Sequence, residues 1–376
     1  MKNGPQAAGV SARQRAAWQA RQAQLAARPL AFCADFPALA QRWEGWWRFE
    51  AGRPLLAAAV RKAEAPRWDK AFDLLEQPEE WLAVRRRQLE ATCFSPDTPP
   101  SIRVDLGPVV TAAFLGAPLH FAAGENTAWQ TPIIRSWESC PDLDLQADNH
   151  WLGVVLKLLD RTAQDAAGNY LVSLPDYSGA FDVLANLRGS QDLLLDLYDA
   201  PDAAFRAAAG LVDAWRIAFE KSYDAVLSRG AGITSWLHAW SSAAYTVPSC
   251  DFNYMIGPDV FRDLVLPSLA EQACQAGRCV LHLDGPGATR HAQAVAEEPA
   301  ITAVQFTPGA GSRSAVVWMD MYRLLQEAGK PLLLVCPKAE IPELLKNLDH
   351  RGLVLWPDDV STPREVDEIM ALLEKR

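Results

Sequence analysis

The sequence predicts an α/β chain folded as a single (β/α)8 TIM barrel with an N-terminal helical extension, residues 1–40 forming the extension and 41–376 the barrel. Three observations lead there. Short apolar runs begin near residues 55, 101, 170, 233, 278, 301, 331 and 352, eight in all, and helical stretches separate them. Several of these runs end in polar or aromatic residues, as barrel strands do where their carboxyl ends open on a site. One stretch, residues 278–311, spells out the repeating unit: Cys279-Val280-Leu281 runs into His282-Leu283-Asp284-Gly285, residues 289–295 have helical composition, and the apolar run 301–306 ends in Thr307-Pro308-Gly309-Ala310-Gly311. A connection of that length is too long for a hairpin and fits a parallel βαβ crossover.

In chain order, residues 1–30 are rich in Ala, Arg and Gln and lack the apolar core of a secretory signal, so they read as an exposed helix or a frayed tail. Tryptophans crowd residues 36–87 (Trp43, Trp46, Trp47, Trp68 and Trp81); the first three share one helix face, which packs that helix on the rest of the fold. Residues 55–60 follow Arg53-Pro54 as a strand, and Gln77-Pro78-Glu79-Glu80 starts a helix with proline and acids in its first turn. Residues 95–100 are a firm break before a strand that ends at Asp105. No period persists over 114–137, which reads as an ordered surface excursion. An amphipathic helix over 143–164 leads to the strand 170–174, which finishes at Asp176-Tyr177. In the next helix Asp182 and Arg188 are read as pairing with structural neighbours. A long helix over 201–228 precedes the strand 233–237, which runs into His238-Ala239-Trp240 and a long loop through Tyr254. The last two strands end at Cys336 and Trp356, with Asp358 just beyond.

If strand ends share one mouth, His282 and Asp284, two apart on one strand face, and Asp105 are the candidate catalytic residues. Asp176, Tyr177, His238, Trp240, Gln305, Trp356 and Asp358 are the candidate substrate-binding residues around them. Asp284 and Asp105 also fit helix-cap and loop-cap roles. A hydrophobic fraction of 49% supports one large core, and no run of eighteen apolar residues suggests a membrane span. With a net charge of -10 and basic clusters confined to the amino terminus and Arg85-Arg86-Arg87, a nucleic-acid partner is not expected. Seven cysteines without a C-x-x-C pair argue for reduced thiols in a cytoplasmic protein. Gly285-Pro286-Gly287 carries a proline, and Arg290 stands at the third glycine of a dinucleotide motif; neither G-x-S-x-G nor H-E-x-x-H is present. A small-molecule substrate is the expected partner.

The run Pro258-Asp259-Val260-Phe261-Arg262-Asp263-Leu264-Val265-Leu266-Pro267, followed by Cys279-Val280-Leu281-His282-Leu283-Asp284-Gly285, resembles the uroporphyrinogen decarboxylase superfamily. Gly107-Pro108 with Phe114-Leu115-Gly116-Ala117, Leu187-Arg188-Gly189 and Ser361-Thr362-Pro363-Arg364-Glu365-Val366 fit the same order, and the likeness covers the chain from about residue 40. It implies a (β/α)8 barrel enzyme and, in one branch, zinc-dependent methyl transfer with a corrinoid protein, a thiol or a folate. The alternatives it implies are a uroporphyrinogen-type decarboxylase of porphyrin biosynthesis and a barrel that binds a tetrapyrrole or corrinoid without turning it over. Where the decarboxylases carry R-Q-A-G-R-Y, this chain has Arg42-Trp43-Glu44-Gly45-Trp46-Trp47-Arg48, and their late histidine is replaced by Trp356-Pro357-Asp358-Asp359. Where the methyltransferases hold zinc with His-x-Cys and a distant cysteine, this chain has His282-Leu283-Asp284, so the resemblance implies His282, Asp284 and Cys336 as the metal ligands.

Overall fold

The computed structural model describes residues 9–62, 71–121, 127–309 and 314–375. Trp68, the arginine-poor first eight residues and the Ala310-Gly311 end of the βαβ stretch lie outside them. Each of the eight expected strands is present: β1 (Leu55–Leu56), β2 (Ser101–Arg103), β3 (Leu171–Ser173), β4 (Gly232–Thr234), β6 (Arg278–Asp284), β7 (Ala303–Thr307), β8 (Leu332–Cys336) and β9 (Leu353–Pro357). The loop expected after His238 supplies a ninth, β5 (Tyr245–Thr246), which pairs in parallel with Arg278 and Cys279 at the start of β6. The result is a mixed α/β fold with a mostly parallel sheet in two ladders, β1-β9-β8-β7-β6-β5 and β2-β3-β4, flanked by helices. Residues 114–137, expected to be irregular, contain an antiparallel hairpin, Leu119–Phe121 against Ala128–Gln130.

Period-two alternation sets the two faces of the sheet. On β6, Cys279, Leu281 and Leu283 pack in a cluster shared with the covering helices, while Val280 belongs to an inner cluster. That inner cluster draws on both ladders: Leu55, Leu171, Tyr245, Val280, Ala303, Leu333 and Val354 meet there. The two ladders therefore contribute to one common core. The Phe36–Trp47 helix closes its amino-terminal end, with Trp43 and Trp46 fully buried. Each indole N–H finds a carbonyl, Trp43 on Asp97 at 2.8 Å, Trp46 on Leu332 at 3.3 Å and Trp47 on Trp240 at 2.8 Å. The shared face expected of these tryptophans is thus a packing face.

Side chains satisfy edge groups of both ladders. At the free edge of β4, Ile233 N donates to Gln22 Oε1 (3.1 Å) and Gln22 Nε2 donates back to Ile233 O (3.2 Å). Across from it, the Tyr223 hydroxyl accepts from Tyr245 N (3.0 Å) and donates to Tyr245 O (3.1 Å) on β5. At the free edge of β1, Leu56 N donates to Asp97 Oδ2 (3.0 Å), Ala58 N to Thr98 Oγ1 (2.8 Å), and Ser95 Oγ donates to Leu56 O (2.6 Å). Asp97 is itself fully buried between Arg42 and Arg53, at 2.7 Å from each. The backbone groups of Leu56, Ile233 and Tyr245 at these edges thereby keep partners, as burial demands. Gln22 lies on the Ala12–Ala26 helix, whose Trp18 donates to Asp224 at 2.7 Å, so this part of the N-terminal extension is packed on the long Pro201–Leu227 helix. Among the described residues no helix is long and apolar enough to cross a membrane.

Candidate functional site

The carboxyl ends of the parallel strands carry the polar side chains. Alternation that turns Leu281 and Leu283 towards the helices turns His282 and Asp284 to the other face of β6, and in-register pairing sets His282 beside Gln305 of β7. The His282 ring Nδ1 is hydrogen-bonded to Gln305 Oε1, and Gln305 Nε2 in turn donates to Thr307 Oγ1 at 2.8 Å. An amide oxygen only accepts, so Nδ1 carries the proton and Nε2 is left as the ring's lone-pair donor. That nitrogen lies 3.8 Å from Asp251 Oδ1.

One ligand atom each of Asp251, His282 and Asp284 lies within 4.8 Å of the others. Asp284 precedes a one-turn helix, Gly285–Ala288, without capping it, and its Oδ1 is buried with no hydrogen-bond partner. Gly285 has φ 76°, a left-handed turn that bends the chain away directly after the carboxylate. Burial pushes the Asp284 carboxyl up, against the pull of His282 and with the repulsion of Asp251. An imidazole whose second nitrogen is fixed, with two carboxylates, is a donor set that suits zinc or a harder divalent ion, and three protein donors leave a position open.

Two further acids support this group. Asp182 accepts from Ser249 Oγ (2.7 Å) and Phe252 N (3.2 Å), which fixes the turn that carries Asp251; burial, then Asp251, raise its carboxyl. Ser249 can lie this close because Gly179 is beneath it: a Cβ there would come within 2.0 Å of Ser249 O. Asp176 is also raised by burial, against Arg103, the Ser178 N–H and His282. It stands between the two poles of the site.

The second pole is basic and aromatic. Trp236 meets His282 edge to face (5.1 Å between ring centroids, 83°), and behind it a cavity of about 360 Å³ is lined by Arg85, Arg103, Ser173, Trp236, His238 and Trp356, among others. His238, with φ 55°, packs its ring on Trp356 at 5.8 Å; burial and then Arg103 hold its pKa down at about 4, so the ring is neutral at neutral pH. Arg103 lies with its guanidinium carbon 6.0 Å from the Trp236 ring and Nη2 3.6 Å from Asp105 Oδ1.

The expected site residues divide accordingly. His282, Asp284, Gln305, Asp176, His238 and Trp356 come to the two poles. Asp105 is not in the metal-capable group; its Oδ1 accepts from Gly107 N at 2.7 Å, the loop-cap alternative. Tyr177 turns into the helical layer, its hydroxyl 2.6 Å from Ser222 Oγ, and Trp240 is buried in the inner core against Phe36. Asp358 is exposed. Cys336 packs with Leu332 and Leu334 in the helix-facing cluster, and burial pushes its thiol well up, so the structure does not bring it to His282. Asp251, Asp182, Arg103 and Trp236 complete the site unforeseen. The one available signal for Asp251 was its position after an aromatic β-branched pair, Tyr245-Thr246, too short to read as a strand.

No family model and no curated protein sequence matches the chain. Among solved structures it is similar to a methyltransferase from Methanosarcina mazei, with a TM-score of 0.60 and 14% sequence identity over 90% of this chain and 98% of that one. At that identity the likeness shows a common fold.

Proposed function

We propose that the chain is a methyltransferase of the uroporphyrinogen decarboxylase-like kind, its two ladders closing as one (β/α)8 barrel. In this reading Asp251, His282 and Asp284 hold a zinc ion, and a corrinoid, free or on a partner protein, carries the methyl group. The observation that supports it best is the convergence of those three ligand atoms within 4.8 Å at strand ends. Likeness to a structure described as a methyltransferase adds support at the level of the fold. When bound, the metal supplies a Lewis acid that keeps an acceptor thiol as its thiolate. The protein's own residues do the rest: Gln305 fixes the imidazole, Asp182 and Ser249 fix the turn of Asp251, and the buried Asp176 carboxyl, its pKa raised by burial, interacts electrostatically with His282. Trp236 packs edge to face on His282 and separates the metal-capable group from the cavity behind it.

Metal analysis combined with a turnover assay tests this. Purified protein is expected to hold close to one equivalent of zinc, and His282→Ala less than about a tenth of that, since loss of one of three ligands leaves no competent set. Wild type with methylcobalamin and a small thiol is expected to release cob(I)alamin, followed by its absorbance, and His282→Ala is not. A metal-free wild type, or undiminished transfer in the variant, refutes the assignment. Metal binding with no transfer to any thiol favours a barrel that binds its tetrapyrrole without turnover.

A further inference from the structure

The cavity behind Trp236 takes no part in the metal-capable cluster, and its chemistry differs. Among the described residues no carboxylate lines it, although the chain carries a net charge of -10; the charged groups present are the guanidiniums of Arg85 and Arg103. Arg85 donates by Nη1 to Gln88 Oε1 (2.9 Å) and by Nη2 to the Arg103 carbonyl (3.3 Å), and Arg103 Nη2 lies 3.6 Å from Asp105 Oδ1. Its walls are flat: Trp236 and Trp356 lie 6.5 Å apart at 51°, and Phe94 adds a third ring. Four lining residues also keep a buried polar atom without a hydrogen-bond partner, namely Arg103 Nε, Ser173 Oγ, Trp236 Nε1 and His238 Nδ1. Native folds leave few such atoms, and a concentration of them around one cavity marks a place completed by something else. A neutral imidazole, a hydroxyl, an indole and a guanidinium have one capacity in common, which is to donate.

We infer that this cavity binds a small planar carboxylate, its oxygens facing Arg103 and the unpartnered donors beside it and its flat body against the indoles of Trp236 and Trp356. About 360 Å³ is at the small end of ligand pockets, enough for one or two fused rings and too small for a tetrapyrrole. A guanidinium suits the planar, two-oxygen geometry of a carboxylate, and indole faces suit a flat π-system. The assignment of this cavity as the substrate pocket rests on the methyltransferase reading, since its occupant lies one indole away from His282; the binding itself does not.

Calorimetric titration of the full chain with naphthalene-2-carboxylate, its neutral carboxamide and inorganic phosphate tests it. The carboxylate is expected to bind one to one, the carboxamide at least about tenfold more weakly for want of charge-assisted bonds, and phosphate not to compete. Arg103→Met is expected to weaken carboxylate binding by about tenfold or more, with Arg103→Lys intermediate. Equal binding of carboxylate and carboxamide by the wild type overturns the inference without recourse to any variant, as does competition by phosphate or absence of saturable binding. Stripping metal with a chelator separates the two claims. Carboxylate affinity retained while methyl transfer is lost supports both, retained affinity in a protein that never transfers methyl groups sinks only the methyltransferase reading, and affinity lost with the metal sinks the cavity.

Discussion

At the residue scale, the two histidines of the site are held in opposite ways. His282 has its Nδ1 fixed by Gln305 and offers Nε2 to the acids around it, whereas His238 sits among rings with its Nδ1 unpartnered. The depressed pKa of His238, about 4 against a usual 6.5, has a consequence for stability. Between those values the unfolded chain binds a proton that the folded chain refuses, so stability rises with pH across this window and is lost as pH falls from 6.5 towards 4. His238→Asn, which tolerates the left-handed backbone at this position, is expected to flatten that part of the curve of Tm against pH and leave it unchanged above pH 7. A variant curve parallel to the wild type throughout would mean that His238 is solvated and titrates normally. Of these residues, His282 and Asp284 were legible because strand parity and a following glycine place them together. Cys336 was misleading for the converse reason: Leu332-Leu333-Leu334-Val335-Cys336 is apolar on both faces, and a strand buried on both sides shows no alternation from which to read where its last side chain points.

At the scale of elements, the Phe36–Trp47 helix works as a stopper on the amino-terminal side of the sheet. Its indoles meet edge to face, Trp43 on Trp46 at 5.3 Å and Trp46 on Trp47 at 4.9 Å, and Glu44 pairs with Arg278 at the start of β6 at 3.1 Å. Trp46→Ala empties a fully buried position and is expected to destabilise the fold by about 3–5 kcal/mol, read by urea denaturation, while leaving the metal content of the folded fraction unchanged. The helix and its packing face could be read from i, i+3, i+4 spacing. Strand β5 could not. Two residues give no periodicity, and Tyr245-Thr246 is a strand only because β6 presents an open edge to it. Asp251 was missed with it, since a residue's approach to a site is invisible when the element that delivers it is.

At the scale of the whole molecule, the order of eight apolar runs was enough to predict a parallel α/β architecture, and each run became a strand. Which side chains satisfy the strand edges was beyond sequence reasoning, because the partners are far apart in the chain: Gln22 reaches Ile233, and Asp97 reaches Leu56. Gln22→Ala is expected to leave the Ile233 N–H and C=O without partners at a buried edge. The expected loss is roughly 1–3 kcal/mol, together with faster amide hydrogen exchange at Ile233 than in β7 or β8. Exchange at Ile233 unchanged by the substitution would show that another group satisfies that edge.

A ladder of backbone bonds survives almost any change of residue type, because every amino acid but proline brings the same N–H and C=O. Where a carboxamide, a phenol and a carboxylate stand in for a neighbouring strand, the satisfaction of an edge becomes a property of individual codons. Drift at positions 22, 97 or 223 can therefore loosen a strand edge while every residue that meets a ligand stays as it was.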